Sequence, residues 1–565
     1  MSEKLSKDLK QWLKGMEEVK ERYENLFTDI GRYVNPRREL IKDSQRYDDK
    51  GDIKGKKSYS GVPMGALGIW ADGMQGHMVS QTLSWFKAAI SDPFINSVDE
   101  VQKYLQQYDE AMYSEFNRSN FYAVLPEWFR DAGSIGTAPL YTEEDIGNGS
   151  CVHIPIHPRE IFISEDRYGN VDAVFRKFFL TAKQALQKFG DACNEDIKKN
   201  ADDHPEKRHE FIHAVFPNKD RKFGSILSKD KPIASVYLQD KGPLKDPTNM
   251  VIRQSGYDVN PYAVWRLRKN SDEIYGYSPA ADAMVNVKKD QQMSKTLLKA
   301  AQMAVEPALN VPEHMRGNTR ITPSGQNYYE RGGDIIQPIH TGINYPIAID
   351  REEKIQRAIE DAYRVDFFLV LARAEREMTA TEIMERQAEK SVLLGPQVDR
   401  LEQEGLSKVF SIVSDIADKG GRMPEPPQIL IDLIEEAKES GKKYITIEPQ
   451  YTGPLAQAQK QLFNMRPVKN FLNEMAQASV VVGTEILDGI NPDRLRNKIV
   501  DSTNAPIDIL RTPGEIKEVR DKRQADLEQQ KMQQALAGAA ESYGKATSAP
   551  EAGSLAGQAM ERLGA

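Results

Sequence analysis

Four groups of residues in this 565-residue chain have types and spacings that could do chemistry. The nearest approach to a phosphate-binding loop is GDIKGKKS at 51–58. A working loop of this kind cradles phosphates between glycines spaced G-x-x-x-x-G and holds magnesium with a Ser or Thr after its Lys. Here Gly51 and Gly55 stand one residue too close and Lys57 occupies the magnesium position, so the stretch reads as a solvated loop. Cys151, His153 and His157 follow one another at i, i+2 and i+6, an interval that would put both histidines on one face of a strand. A closed zinc site takes four convergent donors, and no flanking fourth ligand appears. No metal or other cofactor is therefore expected. Lys288, Gln292, Lys295, Lys299 and Gln302 step by four, three, four and three, which places them on one helical face. Such a stripe is either an ordinary solvated face or a row of cations able to meet phosphates. Last comes RAEREMTATEIMERQ at 373–387, with Arg373 and Arg376 among glutamates. Thr379 has Glu382 three positions on, and Met378 and Ile383 can close a staple, so a helix is expected to start there. The residues before it are good helix formers with no Gly or Pro. The cap, worth about 1 kcal/mol, thus favours a break in what would otherwise be one helix from 350 to about 394.

Neither G-x-S-x-G nor H-E-x-x-H occurs, and the carboxylates fall in helix-surface patterns. No catalytic residue is assigned. With 39% hydrophobic and 28% charged residues the chain is expected to be soluble and to hold several cores. No run approaches the ~18 apolar residues of a membrane span. The start of the chain is amphipathic and mixed in charge, unlike a secretory signal. Two cysteines without thiol neighbours point to a reducing compartment. A net charge of -8 argues against a generic nucleic-acid binder, whose footprint would be basic.

The elements that would position these groups are legible from periodicity. Residues 3–34 read as one amphipathic helix ending at Asn35-Pro36, with further helices at 65–82 and 98–119. From 138 to 270 short alternating runs alternate with turns, DRYGN at 166–170 reading as a hairpin turn. One short helix fits between Thr181 as cap and Gly190. Ser278 as cap and Pro279 at the first position open a helix over 278–306, about 40 Å long, that Pro307 ends. Residues 307–348 form a small turn-rich β module, and 349–373 return as a second long helix with Glu353, Arg357, Glu360 and Arg364 at i, i+4 spacing. Helices then cover 380–419, with an interruption at Gly395-Pro396, as well as 455–478, 484–497 and the charged stretch from 511. A strand-like KYITIEP intervenes at 443–449. The Ala/Gly/Ser tail from 535 reads as weakly ordered. The class is α+β, mainly helical.

Several of these segments together resemble one family, the portal or head-to-tail connecting proteins of podovirus-type short-tailed bacteriophages. They are LSWFKAAISDP at 83–93, RSNFYAVLPEWFRDAGSIGTAPLYTEED at 118–145, YGNVDAVFRKFFLTAKQALQKFG at 168–190, EIYGYSPAADAM at 273–284, MTATEIMERQ at 378–387 and APIDILRTPGEIKEVRDKRQ at 505–524. Each is weak alone; the ordered set over residues 1–530 is specific. One departure follows Trp70, where His77 and Gln81 stand at positions that relatives tend to fill with small residues and proline.

The resemblance implies a portal fold with wing, stem, clip and crown regions, assembled as a homo-oligomeric ring, typically a dodecamer, at one capsid vertex of the virion. It implies a wing over 1–277, stem helices at 278–306 and 349–373, and a clip at 307–348. A tunnel-loop-like junction would lie at 374–379, inner wing elements at 380–454, crown helices at 455–534 and a low-complexity tail at 535–565. Double-stranded DNA would pass the channel in packaging and ejection. Terminase, a tail adaptor, and the major capsid and scaffolding proteins would dock on the ring, which is assembled in the bacterial host cytoplasm. Lys288, Lys295, Lys299, Arg373 and Arg376 would then be channel candidates, with the cap of Thr379 and Glu382 setting the junction. An enzyme of the packaging machinery or an internal virion protein ejected with the genome are the alternatives. The first lacks a phosphate loop, and the helix–module–helix layout speaks against the second.

Overall fold

The computed structural model describes residues 2–39, 58–369, 394–439, 446–453, 466–482, 490–496 and 513–544, except 93–94, 146, 223–224, 226, 240–250 and several positions between 314 and 344. The described residues mix helix and strand with helix in the majority, in keeping with the α+β reading. The chain forms two compact units, one of residues 1–91 and 104–470 and the other of 92–103 and 471–565.

Two antiparallel sheets organise the first unit. A meander of β4 (Ile161–Glu165), β5 (Val171–Thr181), β6 (Arg208–Pro217), β7 (Ile233–Gln239) and β8 (Val251–Tyr257) keeps sequence order, and a three-stranded sheet runs β3 (Ser150–Pro155), β2 (Thr137–Asp145), β9 (Tyr262–Arg266). The register pairs Phe175 with Ala214 and Ala214 with Val236, so these side chains share one face. Leu9, Leu13 and Met16 of α1 (Ser2–Tyr33) cover that face with Phe162, Phe175, Ile212 and Leu238, and the apolar stripe of α1 is accounted for. The opposite face carries Phe178, Phe211 and Tyr237 under α5 (Ala182–Phe189) and α6 (Glu195–Asp203). Thr181 and Gln184 close a reciprocal capping box on α5, and Gly190 follows at φ 53°. The DRYGN turn forms as expected: the Asp166 carboxylate accepts from the Tyr168 and Asn170 amides, and Gly169 takes φ 81°. Helix α6, capped by the Asn194 side chain, has Ile197 as its one buried residue, and the hydrophobic pattern gave no notice of it.

Charged side chains tie α1 and the segment after it to this core. Lys20, almost fully buried, donates to the carbonyls of Pro158 (2.6 Å), Arg159 (3.0 Å) and Ile161 (2.8 Å) and lies over the Phe162 ring. Arg38 makes a bidentate pair with buried Asp131, at 2.8 and 2.7 Å. Burial raises the Asp131 carboxyl to about 6, with Arg38 pulling it down.

Helix α2 (Val62–Met78) packs on α4 (Phe121–Ser134), where Trp70 lies against Gly133. Strand β1 (Phe86–Ile90) pairs antiparallel with β12 (Ile447–Tyr451), which places the expected KYITIEP strand a few residues later than its apolar run. The Tyr113 hydroxyl of α3 (Asp99–Arg118) accepts from the amides of Trp85 and Phe86 and donates to the Phe86 carbonyl.

Helix α7 (Pro279–Val305) and α8 (Tyr345–Ala362) are the two expected long helices. Between them the described module contains one antiparallel pairing, β10 (Leu309–Asn310) with β11 (Gln337–Pro338). The second long helix differs from expectation at both ends. It starts at Tyr345, with Pro346 in its first turn, and stops at Ala362 instead of running to 373. Arg364 then adopts φ 54° and ψ 38°, and a single turn, α9 (Val365–Phe368), follows. Later, α10 (Gly395–Arg400), a π-helical turn over Leu401–Leu406 and α11 (Ser407–Lys419) form one continuous run that Gly395 and Pro396 begin. Helix α12 (Gln428–Glu439) precedes β12.

In the second unit, Arg520 and Asp493 form a bidentate exposed pair. Helix α13 (Arg466–Val482) runs into this unit, and α14 (Pro513–Gly544) lies within it. Helix α14 carries the charged stretch ten residues past the expected start of the tail. Alanine, the best helix former, dominates those residues.

Candidate functional site: the long helical hairpin

The base of α7 is built from two of the segments quoted above for their family resemblance. The Ser278 hydroxyl accepts from the Ala281 amide and caps α7, while donating to the Ser134 carbonyl at the end of α4. The Gly276 amide donates to Thr137 Oγ1 at 2.7 Å. Gly136, at φ 89°, and Gly276 lie backbone to backbone, and a Cβ on either would overlap the other's carbonyl. SIGTAP and YGYSPA are therefore two halves of one clamp that fixes where the hairpin leaves the body.

Along the hairpin, α7 and α8 run antiparallel. Near the body the seam is apolar, with Val287, Ile359 and Tyr363 buried. Further out it turns polar: Gln356 Nε2 donates to Asp290 Oδ1 at 3.3 Å, and Ser294 donates to Glu352 at 2.6 Å. Asp290 is fully buried; burial raises its carboxyl, and Ser60 and Gln356 pull it back. Its neighbour Gln291 accepts from the amides of Tyr59 (2.6 Å) and Ser60 (3.2 Å) and donates to the Ser60 carbonyl, so it fastens residues 58–60 along α7. Neither residue stood out in the sequence, because a buried Asp or Gln looks like any other until its neighbours are known.

The three lysines of the stripe meet different surroundings. Lys288 reaches Asp29 of α1 at 2.6 Å. Lys295 lies 5.3 Å from the centroid of the Tyr59 ring, within cation–π range. Lys299 is exposed on the outer half of α7. They share a helical face, but they are not one uniform row. Arg373, Arg376, Thr379 and Glu382 lie outside the described residues, as do Gly51, Gly55 and Lys57.

The Cys151–His153–His157 interval is divided by the fold. Cys151 and His153 face the buried side of β3, where His153 Nδ1 pairs with the Thr142 hydroxyl at 2.9 Å. Burial lowers His153 to about 3 and raises the Cys151 thiol to about 12. A neutral imidazole and a protonated thiol result. His157 sits on the following turn and accepts from the Arg159 amide. No group of three or more metal-ligating side chains occurs among the described residues, and no helix among them is long and apolar enough to cross a membrane.

His77 lies in the last turn of α2, its Nδ1 at 2.8 Å from the Gly73 carbonyl, with its ring 5.5 Å from Phe367 and 5.7 Å from Phe368. The departure noted after Trp70 is thus a contact to α9.

A family model described as "Bacteriophage head to tail connecting protein" matches residues 6–510. A protein named "Portal protein" from Salmonella phage epsilon15 is 28% identical over 504 residues, covering 84% of this chain and 88% of that one. A "Probable portal protein" from Bordetella phage BPP-1 is 25% identical over 517 residues, covering 90% and 89%. The chain belongs to the bacteriophage head to tail connecting protein family.

Proposed function

From that membership we propose that the chain is the portal subunit of a short-tailed phage. Copies of it form a ring at one capsid vertex, DNA enters and leaves through the ring, and tail components attach to it. The observation that carries this reading is the match of family and portal relatives over nearly the whole chain, 6–510 for the family.

In this reading the body of α1, the two sheets and the helices around them is the wing, α7 and α8 are the stem, the module between them is the clip, and the C-terminal helices are the crown. The subunit number is twelve. The clip docks terminase during packaging and the tail adaptor afterwards, and the rim meets the major capsid and scaffolding proteins. The protein acts as a structural channel at the virion vertex after assembly in the host cytoplasm. Lys299, exposed, is the stripe residue best placed to touch passing phosphates and release their counterions. Lys295 can join it by leaving the Tyr59 ring, whereas Lys288 is engaged by Asp29. Arg373 and Arg376, beside the expected helix start at Thr379 and Glu382, belong to the tunnel-loop-like junction that meets the DNA.

Mass photometry of the purified full chain tests the assembly. A dominant species at twelve times 63.8 kDa is expected. A chain that stays at its monomer mass across the concentrations at which relatives assemble would overturn the ring.

A further inference from the structure

The sequence and the fold disagree at one place inside the hairpin. Residues 349–369 carry helix formers without Gly or Pro, and local preference is for one continuous helix. The chain instead breaks at Arg364, whose left-handed φ of 54° is the sole positive value at a non-glycine among the described residues. An L-residue there is disfavoured by sterics, although the left-handed position just past the end of a helix is a common stop and the Arg364 amide donates to the Asp361 carbonyl at 3.1 Å.

Contacts on both sides hold the break. Immediately before it, Tyr363 is fully buried and its hydroxyl donates to the Gly133 carbonyl at 3.3 Å. After it, Val365 and Phe367 are buried, and the Phe368 ring occupies the space left by the missing Cβ of Gly73 on α2. His77 faces both phenylalanine rings from the same helix. The turn itself is closed by the Phe367 amide donating to the Arg364 carbonyl at 2.9 Å. Tertiary contacts thus overrule local preference at this one residue.

We propose that Arg364 is a two-state joint between the hairpin and the body. In the latched state Phe368 sits in the Gly73 notch and Arg364 is left-handed. In the released state Phe368 leaves the notch, Arg364 returns to the right-handed region, and α8 continues through α9 as a single helix. The latch is the Phe368–Gly73 contact, and the left-handed residue supplies the bias toward release.

Double electron–electron resonance on the full-length protein tests this, with spin labels at Asp72→Cys on α2 and Asp366→Cys on α9, both exposed; the native Cys151 and Cys193 are buried. Diluted into rings with an excess of unlabelled subunits, the otherwise unchanged chain should give one short distance. Gly73→Ala, whose methyl group overlaps the Phe368 ring, and Phe368→Ala, which empties the notch without crowding it, should each add a longer distance. Arg364→Gly in either background should restore the short distance by roughly tenfold in population, because glycine takes the left-handed region without penalty. The proposal is overturned if Phe368→Ala leaves a single short distance, or if Arg364→Gly does not move the population in a variant that shows two.

Discussion

Replacing Arg266 with methionine should be among the most damaging single changes in the protein. Arg266 is 1% exposed and lies where β9, the end of β4 and the π-helical turn meet. Its guanidinium donates to Glu404 at 3.0 and 2.7 Å, to the Gly169 carbonyl at 2.9 Å and to the Ile274 carbonyl at 3.3 Å, and it pairs with Glu165. Breaking a buried pair by removing one partner costs about 3–5 kcal/mol. Two features put this case near the lower end. Glu404 keeps Arg400 at 2.5 Å, and Glu165 keeps Lys269 at 2.9 Å, so neither carboxylate is left alone. A loss of about 3 kcal/mol, with an m-value near the top of the usual ~1–3 kcal/mol/M range, lowers the urea midpoint by about 1 M. Tryptophan fluorescence reads it directly, since Trp265 adjoins Arg266 in sequence and stacks edge-on with Trp128 at 5.3 Å. A shift worth less than about 1 kcal/mol would refute the view that this network holds the π-helical turn to the sheet.

Asp109→Asn should flatten part of the pH dependence of stability. Burial raises this carboxyl to about 7, opposed by the Ala88 amide at 2.7 Å and by Lys87. The folded chain therefore holds a proton that the unfolded chain has lost between about pH 4 and 7, and the group's contribution falls as pH rises through that window. The Asn variant should gain thermal stability relative to the native chain at pH 8 and not at pH 4.5; equal differences at both would contradict the assignment. Gly276→Ala, which drives a methyl group into the Gly136 carbonyl, should abolish soluble assembled protein, as judged by size-exclusion chromatography. Lys295→Glu with Lys299→Glu should leave the ring intact and reduce DNA packaging or retention in heads. Normal filled heads would return the stripe to an ordinary solvated face.

Much of the helical framework was legible because it rests on local signals. The apolar stripe of α1 predicted a buried face, and Leu9, Leu13 and Met16 fill it. Ser278 and Pro279 marked the start of α7 to the residue, and Thr181 marked α5. Illegible features depend on residues far apart in the chain. Strand β12 finds its partner β1 some 360 positions earlier, a pairing that no local pattern specifies. The end of α8 is set by Tyr363, Phe367 and Phe368 docking on other helices, which outweighs the helix preference of the residues themselves. The clamp of Gly136 and Gly276 and the buried Asp290, Gln291 and Arg266 are likewise properties of neighbours. The lysine stripe lies at helical spacing along α7, but the sequence could not show that Asp29 and Tyr59 each engage one of its members.

The central claim, that α7 of each subunit faces a DNA-conducting channel, is tested most directly by a cryo-electron microscopy map of the assembled protein. The account predicts a closed ring with a central opening that admits B-form duplex and with Lys299 of every copy turned toward the axis. A ring in which α7 lies on the outer surface with Lys299 pointing away from the axis, or a particle with no central opening, would contradict it.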